Sequence, residues 1–387
     1  MTQILFLHSA SDLYGSGRIL IESVRACVLG GMSCTVCLPE EGPLVREFER
    51  VGARVHIIEL AILRKKYYSP YGLLDRSYHF LKAFHSLSQL ARAIHADLVY
   101  SNTLAVLVGA AVARSMGLPH VWHIHEIISK PVLLRRFLSW SLRRRCEVGI
   151  AVSAAVKRHW DSSEARSGSV IRTVYNGIDA DKFGIAQSGK LRSELALSQD
   201  HIIIGMIGRV HYWKGQEYFV KLASQIHKRY PSARFVMVGD AFPGYEHLYG
   251  RIHALISALE LEGVVIDLGF RSDVPDLLVD FDIFVLPSTA PDPLPTVVLE
   301  AMATSKPVVA TAHGGSVEMV VDGITGFLIP WDDEDKAFSI IEPMVRDKEL
   351  RTRFGSAGRE RVVRTFALSR YHAEIVEIVK QHLPRPT

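Results

Sequence analysis

Ile283-Phe284-Val285-Leu286-Pro287-Ser288-Thr289-Ala290-Pro291-Asp292-Pro293-Leu294-Pro295-Thr296-Val297-Val298-Leu299-Glu300-Ala301-Met302-Ala303 is the stretch from which the rest of the chain can be read. Its apolar opening, Phe284 to Leu286, has the character of a buried strand. The prolines that follow can continue neither a helix nor a ladder, so the middle is a loop. Pro295 or Thr296 then opens a helix, which sets Glu300 about a turn and a half inside it. Strand, loop and helix in that order make one unit of a parallel sheet, and the first-turn N–H groups of its helix are available to an anion. With Asp292 in the loop and Glu300 on the helix, two carboxylates can face one crevice. That geometry suits a phosphorylated, hydroxyl-rich ligand.

Working outward, the same rhythm recurs on both sides. It restarts at His201 with the run Ile202 to Gly208, continues through a helix over 216–229 and a strand over 234–238, and returns in strands over 264–267 and 308–310. Earlier in the chain, strands are expected over 4–7, 35–38, 55–58, 98–100, 120–125 and 149–152, with helical runs between them. This alternation predicts two doubly wound α/β domains, 1–183 and 184–366, joined through the small polar stretch Gly184 to Gly189. Residues 367–387 carry helical periodicity and form a C-terminal helix able to pack back on the first domain. Doubly wound sheets hold ligands beyond the carboxyl ends of their strands, so two of them facing each other imply one deep cleft. Gly15 to Gly17, His125, Arg209, Asp240 and Asp292 all follow strands.

The composition, 48% hydrophobic and 22% charged over 387 residues, excludes a chain dominated by disorder. No apolar run reaches the roughly 18 residues of a membrane span, and Gln3 to Ala10 lacks the basic flank of a signal peptide, so a cytoplasmic protein is expected. Cys27, Cys34, Cys37 and Cys146 are too few for a disulfide framework. The Cys34/Cys37 pair has an odd spacing on a strand, which turns the two thiols to opposite faces and argues against a redox or metal role.

Charge is unevenly spread. Residues 1–182 carry 23 Lys/Arg against 15 Asp/Glu, a balance of +8, and the remainder stands at −4. A basic first half points to an anionic partner there, either a membrane surface at the inner face of the plasma membrane or a lipid-linked diphosphate. Nucleic acid is not expected, because no recognition motif accompanies the basic residues. Two segments mix basic with apolar and aromatic side chains: Leu63 to Phe84, with Arg64, Lys65, Lys66, Arg76 and Lys82, and Pro131 to Arg145, with Arg135, Arg136, Arg143, Arg144 and Arg145.

Gly15-Ser16-Gly17 lets backbone N–H groups approach a phosphate or an acceptor, but Leu20 breaks a G-x-G-x-x-G pattern, which disfavours a nicotinamide cofactor. His123 and His125 share a face of their strand. Neither helical H-x-x-x-H spacing nor a cysteine pair completes a metal site around them.

Several short motifs now fall into one order: Gly15 to Gly17, His125-Glu126, Val152-Ser153, Asn176 to Asp179, Gly208-Arg209 with Lys214-Gly215, Val238-Gly239-Asp240, Leu268-Gly269-Phe270 with Asp273-Val274, Asp292 with Glu300, and Gly314-Gly315 with Glu318. On these the chain resembles the retaining GT-B glycosyltransferases of the large bacterial family that uses nucleotide-sugar donors (glycosyltransferase family 4, group 1). The resemblance implies two Rossmann-like domains facing across a cleft, an N-terminal domain for the acceptor and a C-terminal one for the donor. It implies a UDP- or GDP-sugar as substrate, no metal and no other cofactor, a glycan or lipid-linked acceptor, and a role in cell-surface polysaccharide or glycolipid synthesis.

Residue by residue, it places Arg209 and Lys214 on the donor diphosphate, where two cations stabilise the charge that grows on a departing phosphate. Glu300 accepts from the ribose hydroxyls. Asp292 and His125 contact the transferred sugar, and Gly15, Gly17, Phe270, Thr296 and Val297 complete the nucleotide-sugar site. Two positions depart from the family: Asp292 stands where Glu is usual, and Pro295 where a Gly often donates its N–H. A nucleotide-sugar epimerase on the same fold is one alternative, and the departures at Asp292 and Pro295 leave open a second, a non-catalytic nucleotide-sugar-binding subunit.

Overall fold

Two units divide the chain in the computed structural model: residues 1–177 with 368–387, and residues 178–367. The structure describes residues 1–62, 70–161, 170–184, 188–241 and 244–383. Arg64, Lys65, Lys66 and residues 185–187 of the expected linker lie outside these.

In the first unit, β1 (Gln3–His8), α1 (Gly15–Leu29), β2 (Ser33–Leu38), α2 (Pro43–Arg50), β3 (Arg54–Ile57), α3 (Pro70–Ala93) and β4 (Leu98–Asn102) alternate. They are followed by α4 (Leu107–Met116), β5 (His120–Ile124), α5 (Val132–Arg145), β6 (Val148–Ala151), α6 (Ala154–Trp160) and β7 (Ile171–Thr173). The strands form one sheet in the order β3-β2-β1-β4-β5-β6-β7, parallel at every pairing. Such a sheet needs apolar side chains on both faces, and β1 supplies them in alternation. Ile4 and Phe6 pack with Cys34, Val36 and Leu38 on one side, and Leu5 and Leu7 with Cys37 and Val99 on the other. Cys34 and Cys37 therefore do lie on opposite faces, and all four cysteines are free thiols.

The second unit opens with a 3-10 turn at Ala180–Phe183 and runs through α7 (Lys190–Glu194), β8 (Ile202–Ile207), α8 (Gln216–Arg229), β9 (Ala233–Val238), α9 (His247–Ala258) and β10 (Val265–Asp267). It continues with α10 (Val274–Asp280), β11 (Ile283–Leu286), α11 (Thr296–Ala303), β12 (Val308–Thr311), α12 (Ser316–Met319), β13 (Gly326–Ile329), α13 (Glu334–Arg346) and α14 (Lys348–Thr365). Its sheet has the order β10-β9-β8-β11-β12-β13, again parallel throughout. The division falls before Ile178 rather than at 183, because the Ile178 amide donates to the Phe366 carbonyl (2.8 Å) and the 3-10 turn packs on α11 and α14.

The last helix, α15 (Leu368–His382), belongs to the first unit. It lays Tyr371, Ile375, Ile378 and Val379 on the α1 side of that unit's core. Each such burial is worth about 1.5–3 kcal/mol. Two polar contacts fix the docking: the Tyr371 and Ser23 hydroxyls meet at 2.6 Å, and His372 Nε2 lies 2.9 Å from Glu22 Oε2.

Candidate functional site

Each sheet reverses its winding once, between β1 and β4 in the first unit and between β8 and β11 in the second. At such a point the helices leave the carboxyl ends of neighbouring strands in opposite directions, and a crevice opens between the two loops. The chemistry-bearing side chains collect at both reversals.

In the second unit the loop after β8 carries Gly208, Arg209 and Lys214, and the loop after β11 carries Ser288 and Asp292. The Thr289 amide donates to the Trp213 carbonyl (2.8 Å) and joins the loops. Gly215 has φ +84, and a Cβ there would stand 1.9 Å from the Pro287 carbonyl oxygen, so only glycine allows this approach. Lys214 Nζ consequently reaches Asp292 Oδ2 at 2.5 Å, with the ammonium 4.5 Å above the Trp213 ring. Asp292 is buried, its side chain only 7% exposed, and Ser288 Oγ lies 3.4 Å from the same carboxylate oxygen. Its backbone is clamped by Gly314 (φ +62), where a Cβ would meet the Asp292 carbonyl at 2.3 Å. Two of the sequence-predicted residues are thus brought into direct contact across the reversal.

Further candidates lie on the same unit. Arg209 is half-buried, and its carbonyl accepts from Gln216 Nε2 at 2.8 Å, which anchors the loop to the first turn of α8. α11 begins at Thr296, as its prolines require, so Thr296 and Val297 hold first-turn N–H groups without an intrahelical acceptor. Glu300 sits half-buried on that helix. Phe270, in the loop after β10, is 62% exposed.

In the first unit Gly15 and Gly17 open α1, and Gly17 is buried where a Cβ would press on the Asp12 carbonyl and Leu44, both at 2.9 Å. His125 directly follows β5. Its Nε2 lies 2.8 Å from Asn102 Oδ1, and its ring centroid lies 4.2 Å from that of His123, the two planes tilted by 41°. Asn102 and His8, the last residues of β4 and β1, are register partners, and Asn102 Nδ2 lies 2.9 Å from His8 Nδ1. Burial lowers the His8 pKa to about 4 and that of His123 to about 3, and it also holds His125, beside His123 and His8, well below the usual histidine range. All three are neutral at pH 7. His123 is fully buried, with Nδ1 2.9 Å from the Tyr100 hydroxyl. Glu126 accepts from the Leu104 and His125 amides, yet burial raises its pKa to about 7.

Trp213, Ser288, His8 and Asn102 were not foreseen from the sequence. The signal existed for the last two, since each is a polar residue closing an apolar strand, but it gains meaning only once the strand order is known. Among the described residues no group of three or more His, Cys, Asp or Glu side chains is arranged to hold a metal.

The chain matches known proteins along most of its length. Residues 187–361 match the family model for glycosyl transferases group 1, and residues 14–182 that for glycosyltransferase family 4. The UDP-Gal:alpha-D-GlcNAc-diphosphoundecaprenol alpha-1,3-galactosyltransferase of Escherichia coli is 30% identical over 282 residues, 70% of this chain and 72% of that protein. The sulfoquinovosyl transferase SQD2 of Arabidopsis thaliana is 26% identical over 71% of this chain, a match that spans 54% of the plant protein. Among solved structures, Anabaena Alr3699/HepE in complex with UDP-glucose superposes with a TM-score of 0.85 at 27% identity, covering 98% of this chain and 100% of that one.

Proposed function

Since the chain belongs to the GT-B glycosyltransferases, as a member of group 1 and family 4, we propose that it transfers a sugar from a UDP-sugar to an acceptor hydroxyl with retention at the anomeric carbon, in the synthesis of a cell-surface glycan or glycolipid. The observation that carries this reading is the Lys214–Asp292 pair at the strand-order reversal of the second unit.

Lys214 and Arg209 hold the donor diphosphate. As the bond between C1 and the phosphate oxygen breaks, negative charge grows on the leaving group, and two cations there stabilise it. Without donor, Asp292 neutralises Lys214. With donor bound, the ammonium is shared between carboxylate and phosphate, and Asp292 is left facing the sugar. Being one methylene shorter than Glu, it is held close to Lys214, and Gly314 sets its backbone. Thr296 and Val297 offer their N–H groups to the donor in place of the N–H that Pro295 lacks. Glu300 accepts from the ribose hydroxyls, Phe270 and the Gly15–Gly17 turn complete the nucleotide-sugar site, and His125 contacts the transferred sugar. The acceptor oxygen forms the new bond to C1, and its proton passes to the leaving phosphate oxygen on the same face.

UDP is preferred here to GDP because the Anabaena structures at 26–27% identity hold UDP or UDP-glucose. A lipid-linked acceptor is favoured because the Escherichia coli relative is named for one. The basic face of α5 then serves a peripheral position on an anionic membrane.

Turnover tested against UDP-glucose, UDP-galactose, UDP-N-acetylglucosamine and GDP-mannose, with lipid-linked and free glycan acceptors, checks this. The expected result is UDP release that needs an acceptor, gives a product with the donor's anomeric configuration and persists in EDTA. Inversion, or an altered free sugar formed from donor alone, would refute the reading.

A further inference from the structure

A neutral imidazole carries one N–H, so whether His125 offers a donor or an acceptor to a ligand depends on where that proton sits. Its neighbours decide this. Asn102 is fully buried, and its side chain makes three contacts: Nδ2 to the Ser16 carbonyl at 3.2 Å, Nδ2 to His8 Nδ1 at 2.9 Å, and Oδ1 to His125 Nε2 at 2.8 Å. The Ser16 carbonyl can only accept, which requires the amide nitrogen to face it. Both N–H bonds of that nitrogen are then used, one on Ser16 and one on His8 Nδ1. The amide oxygen, which can only accept, is left for His125.

We infer that Asn102 is a positioning residue that fixes His125 as the Nε2–H tautomer, so that its Nδ1 is a hydrogen-bond acceptor selective for a hydroxyl group. Nδ1 has no hydrogen-bond partner among the described residues, and His125 is partly exposed. Burial and the two neighbouring histidines keep the ring uncharged near neutrality, which preserves the distinction between its nitrogens. The same amide binds Ser16, inside the Gly15–Gly17 turn, so one buried side chain holds together the glycine turn, the end of β1 and the histidine. His8, accepting at Nδ1, carries its own proton on Nε2, a buried atom without a partner among the described residues. Leaving such a group unsatisfied is costly, so the arrangement is not one that His8 alone would favour.

The identity of the hydroxyl rests on the proposed sugar contact, whereas the tautomer does not, and the experiment separates them. Nitrogen-15 NMR of histidine-labelled full-length protein, with the His125 signals assigned by loss in His125→Gln, reads the ring directly. The wild type should show Nε2–H and unprotonated Nδ1. Asn102→Asp, whose carboxylate still accepts from Nε2, should keep the proton on Nε2, and Asn102→Leu should give a tautomer mixture. A wild-type ring protonated at Nδ1, or an unchanged tautomer in Asn102→Leu, would overturn the inference, and the wild-type arm needs no variant to fold. In parallel, binding of UDP-glucose and UDP is compared by calorimetry. Asn102→Leu and His125→Ala should each weaken UDP-glucose several-fold, and more than they weaken UDP. If His125→Ala binds both ligands like wild type, the sugar contact is refuted while the tautomer result stands on its own spectra.

Discussion

Lys214 and Asp292 form a buried ion pair at the strand-order reversal of the second unit. A buried pair broken from one side leaves an uncompensated charge, so Lys214→Ala should destabilise the chain by about 3 kcal/mol as well as removing a cation from the donor. Turnover should fall by about 10²–10³-fold. Lys214→Ala combined with Asp292→Asn should recover most of the stability, measured by urea denaturation, and none of the turnover. Recovery of both would mean that the lysine serves the fold alone. Arg209→Ala should lower turnover by the same order with the fold retained. At this scale the sequence named Lys214 and Asp292 separately, through their motifs, but not their contact. The contact depends on Gly215 passing against Pro287, a three-dimensional fact with no one-dimensional signature.

Among the elements, α5 and α3 both read as basic and amphipathic, and the structure distinguishes them. On α3, Arg76 is engaged by Asp75 (2.7 Å) and Glu59 (3.3 Å). On α5, Arg135, Arg136, Arg143 and Arg144 are exposed beside Leu133, Phe137 and Trp140, with the Arg145 guanidinium 4.8 Å over the Trp140 ring. Cosedimentation with phosphatidylglycerol vesicles should therefore occur at low salt, weaken at high salt, and be lost when Arg135, Arg136, Arg143 and Arg144 become Ser. Equal binding by the variant would assign the interaction elsewhere. The long elements were legible because apolar period and turn residues agreed: α8 was expected over 216–229 and is found there. Weak periods hid others. α9 carries Gly250 within it, and β7 is three residues long, too short to alternate visibly, whereas the equally short β10 lies within the strand expected over 264–267.

For the molecule as a whole, buried histidines set the response to acid. His8 and His120 titrate near pH 4 and His123 near 3, against an unfolded value of 6.5. Groups with depressed folded values contribute stability that is present above pH 6.5 and lost as pH falls through 4, on the order of 3 kcal/mol each. Glu126, raised to about 7, acts oppositely: its contribution is complete below about 4.5 and is lost as pH rises through 7. Three groups outweigh one, so Tm should drop steeply between pH 6 and 4, and His123→Phe should flatten that slope. An unchanged slope in this variant would contradict the assignment of burial as the cause. The doubly wound architecture was readable at this scale because both halves repeat one strand, loop and helix unit. The order of strands was not, and it is the order that sets His8 beside Asn102 and Lys214 beside Asp292.

The central claim is that Arg209 and Lys214 bind the diphosphate of a nucleotide sugar. A crystal structure of the chain with a non-hydrolysable UDP-sugar tests it most directly. The account predicts both side chains within hydrogen-bonding distance of the diphosphate oxygens and the Lys214–Asp292 contact lengthened. A diphosphate bound elsewhere, with both cations pointing away from it, would contradict the account.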